Sequence, residues 1–225
     1  ALTVLGFGMG NYKDDMLEGL ADKGNGNYGY VDSLSEARKV LVEQASGTLL
    51  TIAKDVKVQV EFNPARVSAW RLIGYENRVL AHQDFNDDTK DAGDIGAGHT
   101  VTALYEVVPV GAPVDVPGVD PLKYQQPPNL SAAAEGGALL TVKLRYKEPE
   151  GRESRLLESE VADEATSMDA ADPEFQFAAA VAAFGMVLRD SPYRGGASLD
   201  MAGDLARRGL GADRHGYRSE CLGLV

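Results

Sequence analysis

The chain has 225 residues, 44% of them apolar, with a formal charge of −12 from 34 acidic and 22 basic residues. That apolar share supports a packed core and excludes a disordered composition, and the acidity opposes nucleic acid and anionic membranes, which clustered Lys and Arg recognise. The one cysteine, Cys221, excludes an internal disulfide, and no apolar run approaches the ~20 residues of a membrane-spanning helix.

Leu2–Phe7 is a short apolar run with little alternation, which suits a strand buried on both faces of a parallel sheet. Ala1–Phe7 lacks the basic head of a signal peptide, so none is expected there. Asp14 or Asp15 is positioned to cap a helix with Met16, Leu17, Leu20 and Ala21 along one stripe. A second strand, Tyr28–Val31, follows. Ser33 and Glu36 then form a capping box before Ala37, Val40 and Leu41. This is β-α-β-α, the order of a parallel α/β sheet. Two strands do not make such a sheet alone. The segment is therefore either the tail of a domain whose front half lies elsewhere, the reading favoured here, or a small appendage.

From Thr51 the period changes. Val56, Val58, Val60 and Phe62 alternate with Lys57, Gln59 and Glu61, which predicts a strand with one buried and one wet face. Val67–Tyr75 and Thr100–Val108 are rich in residues that suit a pleated surface. Leu140, Val142, Leu144 and Tyr146 alternate with Thr141, Lys143, Arg145 and Lys147. These four segments are expected to form one β-core, with Arg78–Gln83 as a further strand. Glu153–Val161 is expected to close a hairpin around Glu148–Gly151. Pro109–Gly137 holds six of the ten prolines and is expected to be a surface excursion. The last sixty residues are predicted helical. Asp172-Pro173-Glu174 starts a helix with Phe177, Val181, Phe184 and Leu188 on one face. Ser198 and Asp213 each cap a further helix, the first bearing Leu199, Ala202, Leu205 and Ala206, the second Tyr217, Cys221 and Leu224.

No constellation of catalytic residues emerges. Gly6-Phe7-Gly8-Met9-Gly10-Asn11 lies between a strand and a helix, as in a dinucleotide-binding unit, but Asn11 stands where the third glycine is needed. Asp84, Asn86 and Asp88 supply oxygens at positions one, three and five of a calcium loop. The glycine of position six is Thr89, and the bidentate Glu of position twelve is Ile95. These three are weak metal candidates. The plainer reading is a solvated acidic loop with turns at Gly93, Gly96 and Gly98. His82, His99 and His215 are scattered, Cys221 has no activating partner in sequence, and no G-x-S-x-G motif is present.

The string LTVLGFGMGNYKDDMLEGLADKGNGNYGYVDSLSEARKVLVEQ resembles the last portion of a von Willebrand factor type A domain, a doubly wound sheet with helices on both sides. LVEQASGTLLTIAKDVKVQVEFNPARVSAWRLIGYENRVL, DAGDIGAGHTVTALYEVVP, LTVKLRYKEPEG and FAAAVAAFGMVLRDSPYRG resemble the C-terminal extension carried by a group of bacterial proteins of that type. The resemblance implies a protein that binds protein partners through Mg²⁺ held by an Asp-x-Ser-x-Ser loop, a Thr and a further Asp. It also implies a place in the cell envelope, outside the cytoplasm. Those loops are absent from this sequence. Asp32-Ser33-Leu34-Ser35 has the right letters, but the serines would have to be at 34 and 36.

The expectation is an α+β chain in three parts: residues 1–50 as a type A remnant, 51–165 as an antiparallel β-sandwich with the excursion at 109–137, and 166–225 as helices packed on it. The expected role is noncatalytic binding of an unidentified protein partner. No cofactor is expected within the chain, with Mg²⁺ confined to the upstream part of a type A domain. A homodimer through the N-terminal strand is a further expectation. The rival is a calcium-binding module or hydrolase using the acidic loop 84–94.

Overall fold

The structure is a computed structural model that describes residues 2–8, 13–24, 26–45, 47, 50–75, 79–113 and 129–225. In chain order the strands are β1 (Val4–Phe7), β2 (Tyr28–Val31), β3 (Thr51–Phe62), β4 (Val67–Ile73), β5 (Gly93–Gly96), β6 (Leu104–Pro109), β7 (Ala138–Lys147) and β8 (Ser154–Ala162). The α-helices are α1 (Asp14–Lys23), α2 (Leu34–Arg38), α3 (Pro173–Leu188), α4 (Leu199–Arg208) and α5 (Tyr217–Leu222). The fold is mixed α and β, with open sheets among the described residues. Two units are present. One takes Ala1–Asn63, Arg78–Val101 and Ser131–Ala162, the other Pro64–Asn77, Thr102–Leu130 and Asp163–Val225.

In the first unit β1 and β2 run parallel, in register from Val4↔Tyr28 to Phe7↔Val31. The β-α-β-α order is as expected. The cap of α1 is not: Lys13 precedes the helix without a side-chain cap, and Asp14 and Asp15 sit inside its first turn. There they favour the positive end of the helix dipole, and Asp14 accepts a hydrogen bond from the Tyr28 hydroxyl. Ser33 does cap α2, its Oγ accepting from the Glu36 amide at 3.1 Å. The helix continues as one π-helical turn, Lys39–Glu43. Ala21 and Val31 are buried, whereas Phe7, Met16, Leu20, Leu34, Leu41 and Val42 are exposed.

The same unit holds an antiparallel sheet in the order β5-β3-β7-β8. Val58, Val60 and Phe62 pair with Leu144, Val142 and Leu140, and Leu144 and Leu140 pair in turn with Leu157 and Val161. Because side chains alternate, these residues share one face, and Lys57, Gln59, Lys143, Arg145 and Lys147 share the other. The expected burial is inverted at the centre of β3. Lys57 is 5% exposed and Val58 56% exposed, although Phe62 is buried. A folded loop covers the polar face. His82–Asn86, which overlaps the end of the strand expected at Arg78–Gln83, forms a 3-10 turn with Phe85 buried; Val79–Ala81 are not strand either. Gly93 and Gly96, expected as turns, instead lie within the short edge strand β5. A Cβ on Gly96 would fall 1.5 Å from the carbonyl oxygen of Gly47, so this approach admits no larger residue. Gly98 turns as expected, at φ +78°.

In the second unit β4 and β6 form an antiparallel ribbon, with Trp70 opposite Val107 and Leu72 opposite Tyr105. Of the four strands expected in the β-core, β3 and β7 pair in one sheet and β4 and β6 in another. Arg71 donates from Nε to Glu106 at 2.5 Å and from Nη2 to the Tyr193 carbonyl at 3.1 Å, with its guanidinium 4.8 Å from the Tyr193 ring centroid. Caps at Asp172 and Ser198 accept from the Phe175 and Met201 amides, as the spacing predicts. The packed stripe of α3 differs from expectation. Val181 and Leu188 are exposed, and Gln176, Ala180 and Ala183 are buried. The alanine face wins because Ala180 packs with Ala206 and Leu205 of α4 in a core that Phe177, Ala179 and Leu222 complete. Asp213 anchors α5 from three residues before its cap position, its carboxylate accepting from the Arg218 and Ser219 amides and the Ser219 hydroxyl. The tip of the proline-rich excursion, residues 114–128, and Met9 to Asn11 of the glycine-rich motif lie outside the described residues.

Candidate functional site

The densest cluster of charged groups is in the first unit, at an irregularity in β3. Register slips between Lys54 and Lys57, and Asp55 takes φ +50°, a left-handed conformation that Asp tolerates better than most residues. The bulge turns Asp55 toward the loop. Its amide donates to Asp94 Oδ1 at 3.3 Å, and its carboxylate accepts from the Ala92 amide at 3.3 Å and from Lys147 Nζ at 2.6 Å. The Lys147 and Asp55 side chains are 14% and 19% exposed. Lys54, Asp55, Asp91, Asp94, Lys147 and Arg152 line a hollow of about 370 Å³ beside this pair.

The loop carrying the weak metal candidates is tied down from the sheet. Lys57 Nζ donates to the backbone carbonyls of Asp84, at 3.2 Å, and of Asp87. Arg145 donates to Asn86 Oδ1 at 3.0 Å and approaches Asp88 Oδ1 at 3.5 Å. The Ser154 hydroxyl donates to Asp88 Oδ1 at 2.5 Å, and Lys147 Nζ reaches the Asp88 carbonyl at 2.9 Å. Of the three candidates, Asn86 and Asp88 turn their side-chain oxygens to protein donors. Among the described residues no three His, Cys, Asp or Glu side chains group as a metal site. Ser33, in the sequence with type A letters, caps α2, its hydroxyl oxygen accepting from the Glu36 amide. His82 sits 3.2 Å from Gln59, and His215 stacks on Tyr217.

The residues that organise the cluster, Lys57, Arg145, Lys147 and Asp55, were missed by sequence reading. The three cations stand at alternate positions of β3 and β7, a pattern that by itself reads as a wet face, and Asp55 carries no local signal. Electrostatics moves the central pair away from neutrality. Burial raises the Asp55 carboxyl, but the Lys147 ammonium, Asp91 and the Ala92 amide outweigh it and hold Asp55 below the ordinary value. The hydrogen bond to Asp55 pushes Lys147 above its ordinary value against the opposing effect of burial. The Ser154 hydroxyl holds Asp88 low in the same way, and Thr89 holds Asp87 low. A general acid or base works best with a pKa near the working pH, and this pair is tuned the other way.

The signs set a pH profile. Asp55, Asp87 and Asp88 are depressed, so their contribution is present above the ordinary 3.8 and lost as pH falls through the folded values. Lys147 is raised, so its contribution is present below the ordinary 10.5 and lost as pH rises through its folded value. Denaturant midpoints of the first unit should be flat between these limits. Lys147→Met should remove the alkaline limb and move the acid limb to higher pH. A midpoint that already slopes near pH 7 in the unsubstituted protein would contradict this account.

Comparison with known proteins places the whole chain in one context. The family model described as "Uncharacterized protein YfbK, C-terminal" matches residues 47–225. The chain is 42% identical over 224 residues to the Escherichia coli (strain K12) protein described as "Uncharacterized protein YfbK". That alignment covers 100% of this chain and 38% of the relative, so the chain spans well under half of the relative's length. No solved structure matches the chain. Among the described residues no helix is long and apolar enough to cross a membrane.

Proposed function

The chain belongs to the family described as the YfbK C-terminal region, and from that premise we propose that it is a noncatalytic scaffold and protein-binding portion of a longer envelope protein of the von Willebrand type A kind. The observation that carries this reading is the N-terminal β-α-β-α segment. Its parallel strands have only each other as partners among the described residues, and Phe7, Met16, Leu20, Leu34, Leu41 and Val42 are exposed around them. Parallel strands are normally flanked by further strands and covered by helices, and an apolar patch of this kind marks an interaction surface. The resemblance of this stretch to the end of a type A domain supplies the missing neighbours, the remaining length of the longer protein. Any Mg²⁺ belongs to that remainder. The noncatalytic part of the reading draws on Asp55 and Lys147, which bond each other at 2.6 Å and are otherwise engaged by the Ala92 amide and the Asp88 carbonyl.

Hydrogen exchange tests the reading. The amides of Val4–Phe7 and Tyr28–Val31 should exchange at least about tenfold more slowly in the longer protein than in the 225-residue chain, as local opening is suppressed by new neighbours. Equal exchange in the two contexts would remove the support for a remnant completed upstream.

A further inference from the structure

The acidic loop of the first unit folds over the sheet around one tight turn, Asp84 to Asp87. The oxygens nearest its turn converge on a side chain of the sheet below. Lys57 is among the most buried residues of the unit, and a buried ammonium survives only when its donors are satisfied. Its Nζ reaches the backbone carbonyls of Asp84 and Asp87, three residues apart across one tight turn. The Asp87 amide closes that turn on the Asp84 carbonyl at 3.2 Å, and the Asp87 carboxylate accepts from the Thr89 amide and hydroxyl at 2.9 and 2.6 Å. Phe85, between the two carbonyls in sequence, is buried and seats the turn. On either side Asn86 and Asp88 are held by Arg145 and Ser154. Carbonyl oxygens from successive turn residues, with carboxylates beside them, are the donor set that hard cations ordinarily collect.

We infer that Lys57 supplies, from within the sheet, the cation on which the acidic loop closes, so that residues 82–91 form a metal-independent strap over the polar sheet face. The ammonium occupies the place of an ion, and the strap is shut by a group that cannot diffuse away. The ammonium of Lys57 is the group that hydrogen-bonds the loop, and the side chain that carries it is buried. Removing the head while keeping the stem should release the strap, and restoring an ammonium without the stem should close it again.

Hydrogen exchange read at the amides of Asp84, Asp87 and Lys90 tests this directly. In Lys57→Ala these amides should lose protection by about tenfold or more, the worth of one charge-assisted hydrogen bond. Propylammonium chloride should restore much of that protection, and sodium chloride at equal ionic strength should not. In Lys57→Met the loss should persist and propylammonium should give no rescue, because the methionine stem fills the space. The unsubstituted protein gives a second readout that does not depend on any variant folding: protection of the loop should be the same in EDTA and in millimolar CaCl₂. Loop protection in the unsubstituted protein that rises with Ca²⁺, or rescue of Lys57→Ala by sodium as well as by propylammonium, would overturn the inference.

Discussion

Gly209→Ala is expected to unfold the helical part of the second unit at a far lower temperature than the unsubstituted protein. Gly209 follows α4, where its amide bonds the Leu205 carbonyl at 2.9 Å. Its φ is −86°, so an alanine would meet no conformational penalty. The obstacle is space. A Cβ there would lie 2.5 Å from the Phe177 amide nitrogen and 2.8 Å from its Cα. Those are backbone atoms of α3, and they cannot rotate away. The strain would pass to Arg218, which donates to the Gly209 carbonyl at 2.7 Å, stacks 5.0 Å over the Phe177 ring and pairs with Glu174. Overpacking against immovable atoms costs on the order of 3 kcal/mol. Gly185→Ala is the control. Gly185 lies inside α3 with nothing within 4 Å of an added Cβ, so alanine should stabilise by up to about 1 kcal/mol through helix propensity. Circular dichroism at the helical band during heating reads both, and equal midpoints for the two variants would show that α3 and α4 do not approach as described.

The same contact shows what sequence could and could not disclose. Ser198, Asp172 and Ser33 were legible as helix starts because a cap is a local bond between a side chain and an amide three residues on. The strands were legible because period two survives in a single segment. The face of α3 that packs was not. Its large residues, Phe177, Val181, Phe184 and Leu188, form the obvious stripe, but small side chains let helices come closer, so Phe177 joins Ala179 and Ala180 against α4 while Val181 and Leu188 stay exposed. The site was harder still. Lys57 on an alternating strand looks solvated by every local rule, and only the return of residues 82–91, some twenty-five positions later, buries it. Asp55 was legible as neither a bulge nor an anchor. Its role needs β5, Lys147 and the loop together, and no window of the sequence contains all three. The short strand β5, four residues with a glycine at each end, falls below what propensity can detect.

Leu205→Ala and Leu157→Ala delete the same atoms and should differ by several-fold in cost. Both leucines lie on apolar stripes that pattern alone would place in a core. Leu205 is 5% exposed, against Ala180 and Ala206 with Phe177 and Leu222 around it. Its removal leaves a cavity beside Ala180 and Ala206, whose single methyl groups cannot swing in to fill it, and costs about 3 kcal/mol. Leu157 is 56% exposed on edge strand β8, in the row with Leu144 and Val58. Its truncation loses almost no burial within the chain and should cost less than about 0.5 kcal/mol. Urea midpoints of the two variants decide the matter, with tryptophan emission reporting the second unit, which contains Trp70, and far-ultraviolet dichroism reporting both. Should Leu157→Ala instead cost as much as Leu205→Ala, the apolar sheet face would already be covered by the chain itself, and the exposed row on β8 would not exist as described.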